Sequence, residues 1–278
     1  MLVDTHVHVV SRDLAAYPLR PLDPSLTWFT EHACPAEEFT GLMAANSVEQ
    51  AVLVQAMSAY TDDNRYCVDS ANADPGRFTA VAYVDLTDPS NDPGDALSKW
   101  AGAGATGVRI VAGTEHTPDP LDPVVAATID AAVEFDVRVL LTVTPRALAR
   151  LSGLLERFGS VPVAIDHCGF PDLTGGPPYR NARPLFELAT LPEVQLKVST
   201  NALDQATRAG GDPRDFVAAL VEAFGPARLQ WGSNWSQTHD RPYADLVAYA
   251  ERAFSVIPAD ARRWVDGEAA RRFWRWRG

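Results

Sequence analysis

The chain opens with Leu2-Val3-Asp4-Thr5-His6-Val7-His8-Val9, and this stretch sets how the rest is read. It is apolar and β-branched, with polar residues at alternate positions, which is the pattern of a strand. Similar runs recur at residues 49–56, 78–85, 107–111, 137–143, 161–166, 194–199 and 229–233. Seven intervals separate eight runs, and after the first most are close to 30 residues. A strand, a helix and two short loops need about that length. Strands alternating with helices imply a parallel sheet, and eight such units predict a single α/β domain, a closed (β/α)8 TIM barrel spanning residues 1–278.

Helix signals stand between the runs. Asp122-Pro123 offers a capping carboxylate followed by a proline at the first helical position. Behind it Val124, Val125, Ile129, Ala132 and Val133 share a helical stripe. Leu148, Leu151, Leu154 and Leu155 form a second stripe that Gly159 terminates. Residues 10–33, rich in proline and aromatics, exceed what a connection needs and predict either a lid over the catalytic end of strand one or a packed surface loop.

The charge pattern narrows the partners. With 36 acidic and 24 basic residues the formal net charge is −12. That argues against nucleic acid and anionic membranes, both of which select positive surfaces. Lysine occurs only at Lys99 and Lys197, so Arg supplies the remaining positive charge. The three cysteines form no C-x-x-C pair, so neither a disulfide framework nor a zinc knuckle is expected. No apolar run reaches the ~18 residues of a membrane span, and no basic leader precedes the first strand. The expected location is cytoplasmic, and oligomeric state is not legible.

His6 and His8 carry the first chemistry. Residues i and i+2 of a strand share a face, so both imidazoles project inward where barrel active sites lie. Val163-Ala164-Ile165-Asp166-His167 ends another strand at the same rim. His167 supplies a third imidazole, able to bind a metal or act as general base, and Asp166 is expected to point away and brace a loop. Arg109, inside the fourth strand, is too costly to bury uncompensated. It is expected to grip a substrate carboxylate with two prongs or to form an internal salt bridge. Lys197 follows the same logic on strand seven. Arg180, Gln55 and Trp235 are further substrate-binding candidates. The tryptophans near the end, Trp264, Trp274 and Trp276, are expected to pack the last helix, and Cys168, with no basic partner in view, is not expected to act as a nucleophile.

These motifs, in this order, resemble the amidohydrolase superfamily, in the amidohydrolase-related branch that includes the pyrone dicarboxylate and sugar-acid lactonases. The resemblance rests on Asp4-Thr5-His6-Val7-His8, Val54-Gln55, Asp63-Asn64-Arg65-Tyr66, Gly107-Val108-Arg109, Ile165-Asp166-His167-Cys168-Gly169-Phe170-Pro171, Leu196-Lys197-Val198-Ser199, Trp231-Gly232-Ser233-Asn234-Trp235 and Gly267-Glu268-Ala269-Ala270-Arg271-Arg272-Phe273. It implies a hydrolase opening a small anionic lactone with activated water, with His6, His8, His167 and Asn234 at the reacting centre. His6, His8 and His167 would ligate one Zn²⁺ or Mn²⁺, or the site would work without metal, as the pyrone lactonase type does. Two departures are visible. The last-strand Asp of the family is Asn234, whose amide accepts no proton. Strand five ends Leu141-Thr142-Val143-Thr144 without a histidine, which argues against a binuclear centre. A decarboxylase or hydratase, or a barrel that binds without hydrolysing, are the alternatives this leaves.

Overall fold

The computed structural model describes residues 1–276. Its eight strands are β1 (Leu2–Val7), β2 (Val48–Val54), β3 (Phe78–Tyr83), β4 (Gly107–Ala112), β5 (Arg138–Val143), β6 (Val163–Ile165), β7 (Val194–Ser199) and β8 (Leu229–Gly232). They form one parallel sheet in sequential order, each paired with the next. The sheet closes where the chain after β8 meets β1. Asn234 N donates to His6 O, His8 N to Trp235 O, and Ser236 N to His8 O. The (β/α)8 barrel is therefore present, with strands slightly shorter than the apolar runs because the polar rim residues turn into loops.

The helices start where capping chemistry puts them. Asp92, Asp122, Thr144 and Asp212 each accept a bond from a first-turn backbone N–H, and each precedes a proline. On helix Pro145–Arg157 the four stripe leucines are all buried, each contributing about 1.5–3 kcal/mol. Helix Pro123–Glu134 departs from its stripe. Val133 is 55% exposed, and Ala126, Thr128 and Ala131 are buried instead, so its inward face is rotated toward smaller side chains.

Two apolar layers result. The larger lies between strands and helices. A smaller one fills the barrel's lower interior with Val3, Val52, Val54, Val81, Leu140 and Ala164, closed by Phe273 and Trp274. The terminal segment crosses this lower end: Arg138 Nε donates to Phe273 O (2.7 Å), and Thr79 Oγ1 donates to Arg275 O (2.9 Å). Packing of the tail on the barrel is thus observed, and Trp274 goes further by entering the ring. Gly107 is required here, because a Cβ would meet Trp274 Cζ3 at 2.9 Å. No helix among the described residues is long and apolar enough to cross a membrane.

Candidate active site

His6 and His8 project into the upper barrel from β1. Strand parity alone would send Asp4 inward with them. A register irregularity between Asp4 and Val7 breaks that parity. Asp4 instead turns to the helix layer, where it accepts from Tyr243 Oη (3.0 Å), Ser233 N (2.9 Å) and His6 N (3.1 Å). Burial raises its pKa to about 6 against those bonds. Asp4 therefore ties β1 to β8 and to a helix, holding the His6 backbone in place. Gly232 lets the two strands approach, since a Cβ there would meet His6 Cβ at 2.7 Å.

The structure corrects the reading of Asp166. Val163 and Ile165 face the helices and Ala164 faces the interior, so Asp166 continues on the inner face. The chain then turns sharply: His167 and Cys168 both adopt left-handed backbone (φ 50° and 54°), a costly conformation for such residues that concentrates at functional sites. The turn brings His167 inward as well. Asp166 is consequently the hub of the site and not a loop brace. Its Oδ1 stands 2.8 Å from His6 Nδ1, off the line of a directed hydrogen bond. Its Oδ2 accepts from Arg109 Nη2 (2.9 Å) and Thr142 Oγ1 (2.9 Å) and lies 3.6 Å from His167 Nε2. Burial favours the neutral acid, but His167, His6 and Arg109 together hold its pKa well below the usual carboxylate range.

Arg109 spends its prongs inside the protein, Nη2 on Asp166 and Nε on Thr142 Oγ1 (2.8 Å). This is the internal salt bridge, and it leaves Nη1 without a hydrogen-bond partner among the described residues. Thr142 occupies the strand-five position that carries no histidine, and its hydroxyl joins Arg109 to Asp166. Sequence reading passed over both Thr142 and Ser199. The available signal was parity, since Ser199 shares the inward face of Lys197.

His8 and His167 are hydrogen-bonded at Nδ1, His6 faces a carboxylate there, and each directs Nε2 to the centre. His8 Nδ1 lies 2.9 Å from Val54 O, His167 Nδ1 lies 2.7 Å from Ser199 Oγ, and His6 Nδ1 faces Asp166. Only a donor can satisfy the Val54 carbonyl, so His8 keeps its lone pair on Nε2. The Nε2 atoms of His6 and His8 are 3.1 Å apart. The His6 ring centroid is 4.8 Å from that of His8 and 4.7 Å from that of His167. Burial drives all three pKa values down: His6 well below the ordinary range, His8 to about 3 and His167 to about 4. For His8, Arg109 reinforces the burial. For His167, Asp166 opposes it, while Arg109 and Lys197 add to it. Neutral imidazoles with outward lone pairs and braced Nδ1 atoms are the donor arrangement of a metal site. Ligand atoms of His6, Asp166 and His167 also lie within 4.8 Å of one another. The residues fit one divalent ion.

The other candidates separate. Asn234, just after β8 with φ 61°, is buried; its Nδ2 donates to Thr238 Oγ1 (2.9 Å) and its Oδ1 has no partner among the described residues. Gln55 Nε2 donates to the carbonyls of Thr61 and Asp63, bracing the loop after β2. Asn64 stands at the N-cap position of the next helix without a side-chain cap bond, and its amide bonds Tyr83 at both N and O. The Trp235 ring packs edge-on against Tyr243 (5.8 Å). Arg180 is exposed on the loop after β6. Lys197 sits below the imidazoles, fully buried, not at the open mouth. The Cys168 thiol is pushed up by burial, out of reach of thiolate chemistry. The loop of residues 10–33 brings Trp28 in, its ring 6.0 Å from that of His8, so part of this loop walls the site.

An amidohydrolase family model matches residues 3–276. The chain belongs to the amidohydrolase family. Among its family relatives it is similar to the L-fucono-1,5-lactonase of Burkholderia ambifaria, 29% identical over 287 residues, covering 98% of this chain and 95% of the relative. It is also similar to the 4-sulfomuconolactone hydrolase of Hydrogenophaga intermedia, 29% identical over 240 residues, covering 84% and 73%. A solved amidohydrolase from Burkholderia multivorans with bound zinc superposes with a TM-score of 0.76 at 25% identity, over 98% of each chain.

Proposed function

We propose that this amidohydrolase opens a small lactone by attack of water on the ring carbonyl. The observation that carries the reading is the convergence of His6 and His167 on Asp166, with His8 Nε2 against His6 Nε2, at the upper end of the barrel. The similarity to two lactone hydrolases along most of the chain supports it.

His6 and His8, whose Nε2 atoms are 3.1 Å apart, would hold one Zn²⁺ or Mn²⁺ and leave His167 unligated; the ion would lower the pKa of a water and polarise a carbonyl. His167 takes the proton. Donating Nδ1–H to Ser199 leaves Nε2 free, and Asp166, 3.6 Å away, stabilises the imidazolium as it forms. Asn234 accepts no proton, but its unpartnered Oδ1 can orient the water. Arg109 keeps Asp166 ionised and offers Nη1 to an acidic group on the substrate, so an anionic lactone is the preferred class.

A panel of sugar-acid and muconate-type lactones, followed by pH-stat titration of released acid, tests the activity. Turnover of at least one class is expected; binding without acid release across the panel would make the barrel a binding protein. Elemental analysis of protein purified without added metal should give close to one transition-metal ion per chain. A chelator should abolish turnover and the same ion should restore it. Full activity in metal-free protein overturns the role given to His6 and His8.

A further inference from the structure

Lys197 is a puzzle that the hydrolase reading does not absorb. Its side chain is fully buried, and Nζ makes no hydrogen bond or ion pair among the described residues. Parity places it inside the barrel. Ser199, two residues up, reaches His167; Gln195, two residues down, bonds Gln230. Gln230 in turn accepts from Trp274 Nε1 (2.7 Å). Lys197 thus sits between the imidazole layer above and an amide-and-indole floor below. Its Nζ lies over the face of Trp274, 5.3 Å from the ring centroid.

A buried ammonium without an anion is expensive. The carboxylate that could match it, Asp166, is already bonded to Arg109. The ammonium form is therefore held at a cost, with an indole face against it and Asp166 and Asp4 acting on it only through space. That imbalance is useful in one circumstance, when negative charge grows above it. Water attacking a lactone carbonyl puts a full negative charge on the carbonyl oxygen, and a fixed cation in a dry interior favours that state over the neutral ground state.

We propose that Lys197 and Trp274 form a positioning pair for the reaction. The tail indole holds the ammonium up beneath the imidazoles, and the ammonium stabilises through space the anion formed during attack. The floor of the barrel is then part of the catalytic apparatus, although it touches no substrate. The role of the pair rests on the hydrolase reading; its geometry does not. Burial, opposed by Asp166 and reinforced by Arg109, lowers the Lys197 pKa to about 7, as expected of an amine without a partner.

The chain has only two lysines, which makes the pair directly observable. Protein carrying 13Cε-lysine gives two NMR signals, and Lys99→Arg assigns them. Lys99 lies over Trp100, so both start near an indole. Trp274→Leu should move the Lys197 signal and leave that of Lys99 in place. An unmoved Lys197 signal removes the pair. In kinetics on a lactone that the wild type turns over, Lys197→Met should lower kcat roughly 10- to 100-fold with KM changed less than about threefold. Trp274→Leu should lower kcat roughly tenfold in the Lys197 background and have little effect in Lys197→Met. Trp274→Phe, which keeps an aromatic face, should recover most of the rate. Equal slowing in both backgrounds, or wild-type kcat in Lys197→Met, overturns the role and leaves Trp274 as packing alone. A wild type inert toward every lactone sinks the hydrolase reading and with it the proposed role, whereas the NMR comparison still decides the pair's geometry.

Discussion

Asp166→Asn is expected to lower kcat/KM by roughly 10²- to 10³-fold and to cost about 3–5 kcal/mol of stability. The first effect follows from the position of Asp166 behind His6 and His167, since removing such an orienting carboxylate typically costs 10- to 100-fold on its own, and here it also ends stabilisation of the His167 imidazolium. The second follows from Arg109, which is left buried without its anion. In a chain of this size the stability loss should lower the melting temperature by about 10 °C. The double variant Asp166→Asn with Arg109→Met separates the two effects. Removing both charges should return much of the stability, because neither partner is then stranded. It should return none of the activity. Recovery of both together would show that Asp166 serves the fold alone.

His167→Gln should lower kcat by roughly 10²- to 10⁴-fold, the range of a lost general base, with little change in melting temperature. The pH profile identifies the role. The base acts unprotonated, and burial has carried the His167 pKa down to about 4. Wild-type rate should therefore stay level from neutrality to about pH 5 and fall as pH drops through 4. In His167→Gln that limb should vanish from the residual activity. An acid limb that persists unchanged in His167→Gln would exclude His167 as the base. Folding must be monitored alongside, and the sign is definite. A histidine kept neutral by the fold stabilises fully above 6.5, and this contribution is lost as pH falls toward the folded value, because the unfolded chain takes up the proton first.

Much of this architecture is legible in the residues. Eight β-branched runs at near-regular spacing specify the barrel, and the proline-led helix start at Asp122 is visible as a dipeptide. His6 and His8 were readable because an alternating strand permits only two faces. The failures arise where alternation stops. Asp4 lies on the same parity as the histidines, yet an irregularity in β1 turns it outward. Asp166 was assigned outward because His167 had to point in, and two consecutive left-handed residues let both face the centre. Such backbone is disfavoured for both His and Cys, so no local propensity announces it. Arg109 and Lys197 were correctly placed on strands, but depth is not encoded by parity. A salt bridge to a residue 57 positions away and an indole from the tail decide what each cation does.

The seam that closes the barrel has a consequence for how activity arises. The backbone of His6 and His8 accepts and donates the bonds that join β1 to the chain after β8. Ser233 and His6, in contact there, stand 227 positions apart. The residues that would bind metal and the residues that seal the ring are thus the same, seen once as side chains and once as backbone. An intermediate with seven strands in place would leave those histidines on an open edge, facing solvent with mobile rings. Competence therefore requires the docking of the final strand on the first, and turnover measured during refolding would report ring closure and not the growth of the sheet.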